Sequence, residues 1–177
     1  MTVKMAFNPL PWYVEAGFRP DRRPPYAELL TRIKAAGYDA VPADVPAGST
    51  AAQFAELLAN AGMRPAPGYF ETALSDVDQR DEAVARAARA AADHASLGLD
   101  RIFLADRFGG AAPRFATPGR GIEADPARLA VIIESVAAIA RAMTAEGVVP
   151  CLHPHVGTWI ETADEGSAVL DALPADL

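Results

Sequence analysis

The sequence predicts an α/β fold with about five βα units and a parallel sheet, as an incomplete (β/α) barrel or an open doubly wound sheet would have, and three observations carry that expectation. An amphipathic helical pattern that ends in glycine and runs at once into a short apolar stretch occurs four times, at Gly37, Gly62, Gly98 and Gly147. The apolar stretches are almost continuously hydrophobic, as parallel strands buried on both faces are. The connections before these stretches are short and those after them are long, so the variable segments gather at the C-terminal ends of the strands, where barrel enzymes keep their sites.

Strands are expected at residues 3–7, 38–42, 63–67, 101–105 and 148–153. The first helix places Leu29, Leu30 and Ile33 on one face, and the second places Phe54, Leu57, Leu58 and Ala61 there, at steps of three and four residues. The third, about residues 79–97, is alanine-rich with Val84, Ala88, Ala91 and Ala95 in register. The fourth, about 126–146, carries Leu129, Ile132, Ile133, Val136, Ile139, Ala140 and Met143. Asp125-Pro126 starts it with a capping side chain and a proline at the first helical position, where a missing N–H costs nothing. A fifth helix begins after Thr162, whose hydroxyl forms a capping box with Glu165. Glycine fits the junctions because it takes the left-handed conformation after a helix without a Cβ penalty. The long loops then fall at residues 8–25, 43–50, 69–78, 106–125 and 154–162.

One domain over residues 1–177 is expected, interrupted before the sixth strand, since a closed barrel takes about 250 residues. An open, doubly wound sheet is the alternative for the same pattern. Either arrangement leaves an unpaired strand edge, so a homo-oligomer is open.

With 51% hydrophobic and 22% charged residues the chain is globular in composition. A formal net charge of −7 argues against a general binder of nucleic acid or anionic membrane. Arg19, Arg22 and Arg23 form a short basic cluster that reads as a solvated loop. Cys151 is the sole cysteine, which excludes an intramolecular disulfide and a multi-cysteine zinc site and fits a reducing compartment. The N-terminal segment is too short in apolar residues for a signal peptide, and there is no run of 18 uncharged apolar residues, so a cytoplasmic location without membrane contact is expected.

The segment around the fifth strand end holds two of the three histidines. Period-two alternation puts Cys151, His153 and His155 on one face, and Gly157-Thr158 supplies a turn where backbone approaches a ligand closely. Neutral imidazole ligates metals and carries protons near neutral pH, so the pair suits metal-assisted carbonyl chemistry. His94 lies near the end of the third helix, where a role for the helix dipole or the surface is expected. Trp12 and Tyr13 follow the first strand and offer an apolar wall for a sugar ring. Asp44, Tyr69, Glu71 and Asp106 follow the next three strands, each with turn capping, solvation or packing as its bland role. Glu161 precedes the capped helix, placed to orient a histidine or act as an acid. Cys151 lies within the strand and reads as a small hydrophobe. Gly109-Gly110 lacks the spacing of a phosphate cradle.

The run Cys151-Leu152-His153-Pro154-His155-Val156-Gly157-Thr158-Trp159-Ile160-Glu161-Thr162 resembles the His-x-His-x-Gly-Thr segment of inosose dehydratases and related sugar phosphate isomerases and epimerases, which share the xylose isomerase-like barrel. Phe7-Asn8-Pro9-Leu10-Pro11-Trp12 is similar to that group's first-strand Asn-x-x-x-Trp pattern, and Ala36-Gly37-Tyr38-Asp39 and Leu97-Gly98-Leu99-Asp100 also resemble its junctions. The resemblance implies a divalent metal (manganese, cobalt, magnesium or zinc) acting with the protein on a sugar or polyol ketone. Many members end the fifth strand in a glutamate ligand, and His153 stands in that place; the remaining family ligands come from strands six to eight, which this sequence does not contain. The expected roles are His153 as metal ligand, His155 and Glu161 as proton carriers, and Trp12, Tyr69, Asp106, Thr158 and Trp159 as substrate contacts. The function implied is a metal-dependent isomerase or epimerase, with an inosose dehydratase-type lyase or a non-catalytic, assembly-dependent partial barrel as alternatives.

Overall fold

A computed structural model of the chain describes residues 5–17, 19–109 and 111–174. Its strands are β1 (Ala40–Pro42), β2 (Arg64–Ala66), β3 (Tyr69–Thr72), β4 (Arg101–Asp106) and β5 (Val149–Leu152). The helices are α1 (Leu10–Glu15), α2 (Tyr26–Ala35), α3 (Ala51–Asn60), α4 (Arg80–Ser96), α5 (Ala112–Ala116), α6 (Pro126–Ala145) and α7 (Ala163–Asp171). Every strand pairing is parallel: β1 with β2, β3 with β4, and β4 with β5. Part of the expected first strand, residues 3 and 4, lies outside the described residues. The described part makes one parallel bridge, Ala6 to Ala40, in which the Phe7 N–H donates to the Ala40 carbonyl at 2.9 Å.

The third expected strand is longer than the sequence indicated and changes partners midway. β2 pairs with β1; the chain then bends at Pro67-Gly68, and β3 pairs with β4. Residues 69–72, expected as loop, are therefore strand. Proline without an N–H and glycine without a side chain interrupt the apolar pattern at the point where the strand turns from one neighbour to the next. The bend lets one strand join two sheet pieces into a single curved parallel array.

Gly68 is required there by close packing. A Cβ on it would lie 2.8 Å from Nε2 of His94 and 3.0 Å from the Ala43 carbonyl oxygen. His94 is buried at 3% exposure, which corrects its expected dipole or surface role. Its Nδ1 faces the Ala90 carbonyl at 2.8 Å, and the Gly68 N–H donates to its Nε2 at 2.9 Å. A carbonyl only accepts, so Nδ1 carries the proton, Nε2 keeps its lone pair and the ring is neutral. Desolvation lowers the His94 pKa, outweighing the opposing pull of the Ala90 carbonyl, Asp44 and Asp93.

Two cores flank the bend. Leu30, Ile33, Val41, Phe54, Leu58 and Met63 close α2 and α3 over β1. Phe70, Ile102, Leu104, Ile132, Val136, Ile139 and Met143 close α4 and α6 over β3 and β4. Each fully buried large side chain contributes about 1.5–3 kcal/mol relative to exposure. The buried stripe of α4 is Ala83, Ala87, Ala91 and His94, one position away from the expected register apart from Ala91. Small alanines let α4 sit close to its neighbours, so period alone could not choose between adjacent rows. α6 begins as expected, with the Asp125 carboxylate accepting from the Ala127 and Arg128 N–H groups. The glycines at the four helix-to-strand junctions all have positive φ, from 64° to 93°. Among the described residues no helix is long and apolar enough to cross a membrane.

The His94 pin makes stability depend on pH with a fixed sign. Its folded pKa is depressed below the unfolded value of about 6.5, so its contribution is complete above that value and is lost as pH falls toward the folded pKa. The urea midpoint is expected to drop between pH 7.5 and pH 5.5 in the wild type and to drop less in His94→Gln. Parallel pH curves for the two proteins would show that His94 does not titrate on unfolding.

Candidate functional site

The face of the sheet turned away from α4 and α6 carries the site. Register pairs Tyr69 with Phe103 and Phe103 with Cys151, so these three side chains form one row across β3, β4 and β5. One step toward the C-terminal ends, Glu71 pairs with Ala105, and the His153 N–H donates to the Leu104 carbonyl at 2.8 Å. Alternation then returns the His153 side chain to the face of Phe103 and Cys151. Glu71 and His153 thus flank Ala105, about 9–10 Å apart at two strand spacings, with a methyl group as the floor between them.

His153 sits with its ring edge-on to Tyr69 at 5.3 Å and to Phe103 at 5.9 Å, and 5.9 Å from the ring of His155. Desolvation, helped by His155, lowers its pKa, which keeps a neutral ring with a lone pair. Nδ1 of His155 lies 2.8 Å from the Val156 carbonyl and donates to it, so Nε2 is the ring nitrogen not engaged by that bond. Phe108 stands edge-on to His155 at 5.0 Å and to Phe115 at 4.7 Å. Tyr69 keeps its proton, since burial and then the charges of Glu71 and Asp106 push its pKa up to about 12. The Glu71 carboxylate makes no hydrogen bond among the described residues, and it is the free acid of this face. Sequence reasoning ranked Glu71 low and did not single out Phe103, Phe108 or Phe115; period two along residues 69–71 would have found the first.

The other carboxylates at this end are occupied by backbone. Asp106, expected at the substrate, is 3% exposed. It accepts from the Leu74 N–H at 3.1 Å and from the Trp159 N–H at 3.0 Å, tying the loop after β3 to the turn after β5. Burial raises its pKa despite these bonds and those of Arg107. Glu161, expected as a proton carrier, accepts three N–H groups: Gly119 at 3.0 Å, Gly121 at 2.9 Å and Gly157 at 3.0 Å. Burial works to raise the Glu161 pKa, but these bonds and the Arg114 charge outweigh it and hold the carboxylate ionised. An ionised carboxylate committed to three donors is a clasp between the β4–α6 loop and the β5 turn, which accounts for its position better than acid catalysis does.

Arg114 lies at the centre of that clasp, 1% exposed. It donates to the Ile122 carbonyl at 2.9 Å, to the Thr158 carbonyl at 3.1 Å and to both oxygens of Glu165 at 3.0 and 2.8 Å. Glu165 also accepts from the Glu161 and Thr162 N–H groups, the latter being the expected capping box of α7. The Thr158 hydroxyl is directed to the His155 carbonyl at 2.7 Å and the Ile160 carbonyl at 3.1 Å, so it closes the turn and does not face a substrate. Trp159 lies within cation–π distance of Arg114 and Arg128, with their guanidinium carbons 5.0 and 3.6 Å from the ring centroid, and lines a cavity of about 140 Å³ with Pro126, Leu129 and Ile132 of α6. Trp12 packs edge-on to Phe7 at 5.5 Å and joins the core over β1. Of the expected substrate contacts, Tyr69 is the one the structure brings against the histidines.

The two imidazoles present lone pairs suited to a borderline divalent ion. Among the described residues no group of three or more histidine, cysteine, aspartate or glutamate side chains could hold a metal, so His153 and His155 fit only part of a ligand set.

The family model described as Xylose isomerase-like TIM barrel matches residues 30–176. The comparison with curated proteins gives no match. Among solved structures, a xylose isomerase-like TIM barrel protein from Mycobacterium smegmatis in complex with magnesium is 21% identical with a TM-score of 0.66, over 95% of this chain and 60% of that one. A sugar phosphate isomerase/epimerase from Parabacteroides distasonis is 14% identical with a TM-score of 0.59, over 98% of this chain and 62% of that one. D-psicose 3-epimerase with D-tagatose from Clostridium cellulolyticum is 18% identical with a TM-score of 0.60, over 85% of this chain and 55% of that one. The chain spans about 60% of the length of the first of these structures.

The clasp can be tested through Glu161. In Glu161→Gln the amide nitrogen must face at least one N–H now paired with an oxygen, and the charge beside Arg114 is lost. Unfolding in urea is expected to show a loss of about 2 kcal/mol, the scale of a buried donor left unsatisfied. A loss within 0.5 kcal/mol, the scale of a neutral surface substitution at about that size, would mean that the two loops are held by other contacts.

Proposed function

The chain belongs to the xylose isomerase-like TIM barrel family, and from that premise we propose that it forms the strand-one-to-five portion of a sugar or polyol-ketone isomerase or epimerase that moves a proton α to a carbonyl. The observation that supports this most directly is the pair of imidazoles at the end of β5, with His153 against Tyr69 and His155 against Phe108. A sugar oxygen bound near His153 would have the protonated Tyr69 phenol within the same aromatic pocket as a hydrogen-bond donor. The base would take a proton from the carbon next to the carbonyl, leaving an enolate; isomerisation returns that proton to the former carbonyl carbon while a hydroxyl proton passes between the two oxygens, and epimerisation takes a proton from a second group on the opposite face. Nε2 of His155 and the free carboxylate of Glu71 are the groups placed to hold that proton. Glu161 acts at a distance, by fixing the turn that carries His155.

His153 is the residue we assign to a divalent ion, of whose ligand set it supplies a part. Such an ion would supply positive charge that polarises a carbonyl. The alternative role, a partial barrel that completes its site by assembly, draws support from the exposed inner face: Tyr69, Phe103 and Val149 are 37%, 42% and 50% exposed. A dehydratase-type lyase shares the first proton transfer and differs in expelling a hydroxyl group afterwards.

Metal binding provides the test. Titration of the purified chain with Mn²⁺ or Zn²⁺, followed by calorimetry, is expected to show one weak site that His153→Ala weakens at least tenfold, as loss of a directly coordinating side chain should. An unchanged affinity in His153→Ala would remove His153 from the metal site and with it the metal-dependent reading.

A further inference from the structure

We propose that Pro150 and Pro154 close the outer edge of β5 to a second copy of this chain. β5 stands last in the order β3-β4-β5, and among the described residues no strand pairs with its far side. The free edge of a parallel sheet is a row of peptide groups that can template pairing with another chain, which makes it an association hazard. Whether β5 pairs with a copy of itself is decided by which of its N–H groups face outward.

Alternation along the backbone fixes that. The Val149 N–H donates to the Asp100 carbonyl at 2.8 Å, and the His153 N–H donates to the Leu104 carbonyl at 2.8 Å. In a parallel ladder a residue directs its N–H and its C=O to the same side, and the next residue directs both to the other. Residues 149, 151 and 153 therefore face β4, and residues 150, 152 and 154 face outward. The first and last of the outward set are prolines, which bring no N–H and put a ring carbon where the hydrogen would stand. Leu152 is left as the donor between them, while the carbonyls of all three remain acceptors. Proline is harmless to the ladder with β4 at these positions, because neither nitrogen is called on there.

A second copy brings the same shortage on its own edge. Antiparallel pairing centred on Leu152 joins the two Leu152 residues through their peptide groups, but on either side it sets Pro150 against Pro154, carbonyl facing carbonyl with no hydrogen between. Shifting the register, or running the copies parallel, again leaves Leu152 as each copy's donor, since both offer the same outward positions. A carbonyl withdrawn from water without a donor costs free energy. Pro154 has a structural role as well: a Cβ on Gly166 of α7 would lie 3.4 Å from its Cγ. Pro150 carries no such contact with Gly166, so the two prolines separate edge pairing from helix packing.

The experiment is sedimentation equilibrium of the full chain and its variants, read together with amide hydrogen exchange. Pro150→Ala restores one outward N–H and leaves the contact on Gly166 in place; Pro150→Ala combined with Pro154→Ala restores both. Each restored N–H is donated once by each copy. The double variant is expected to self-associate with a dissociation constant at least about tenfold below that of wild type, the scale of a few regained hydrogen bonds, and the single variant to fall between the two. In both variants the Leu152 amide should gain protection as concentration rises, and in wild type it should not. Pro150→Val should associate about as strongly as Pro150→Ala, because both return the N–H. Association confined to the valine variant would trace to apolar surface and overturn the proposal. So would variants no more associated than wild type, or a wild-type Leu152 amide that concentration alone protects. If the double variant loses its native circular dichroism, Pro150→Ala decides between these outcomes by itself.

Discussion

The burial of one guanidinium group organises the functional end of this protein. Arg114 cannot be left unpaired at 1% exposure, because an isolated charge out of water costs several kcal/mol even after relaxation. The partners that answer it come from three segments: Ile122 from its own loop, Thr158 and, with its contact at 3.8 Å, Glu161 from the turn after β5, and Glu165 from the first turn of α7. Satisfying one side chain therefore joins a long loop, a strand-end turn and a helix start. The positions of His155, Gly157 and Phe115 are consequences of that joining.

Much of the fold was legible from residues alone, and the failures have physical causes. Asp125-Pro126 and Thr162 with Glu165 announce helix starts through local hydrogen bonding, which depends on few residues, and both occur as expected. The glycine junctions are local in the same sense. The continuation of the third strand through Tyr69–Thr72 was missed because Pro67-Gly68 reads as a break in sequence, whereas in space it is a change of pairing partner. His94 was misplaced for a related reason: its partner is the Gly68 N–H, 26 positions away, and nothing in a helical pattern signals a contact with a distant backbone group.

The site was half legible. Alternation correctly put Cys151 and His153 on one face, because the period of a strand is fixed by its backbone. The acidic residues were the harder case. Asp106 closes β4 and Glu161 sits in the loop after β5, positions where catalytic acids stand in barrels, and from the sequence they are indistinguishable from such acids. What separates them is the count of N–H groups that the loops leave unpaired near them. Gly119, Gly121 and Gly157 present theirs to Glu161, and Leu74 and Trp159 present theirs to Asp106. Long loops packed against one another produce such orphan donors, and a carboxylate with four acceptor positions is the most economical answer to them.

Committing those carboxylates to backbone changes the character of what remains. A net charge of −7 leads one to expect negative charge at the strand ends, yet the groups gathered at the open side of β3 to β5 are a neutral His153, a protonated Tyr69 and the Phe103 ring, with Phe108 against His155. Glu71 is the exception, and Ala105 keeps it two strands away from His153. A largely neutral, aromatic-walled surface with a single carboxylate at one side offers no fixed positive charge to an anion. The clasp that turns Asp106 and Glu161 toward backbone thus also sets the charge of the open face, so the same hydrogen bonds serve stability and electrostatics.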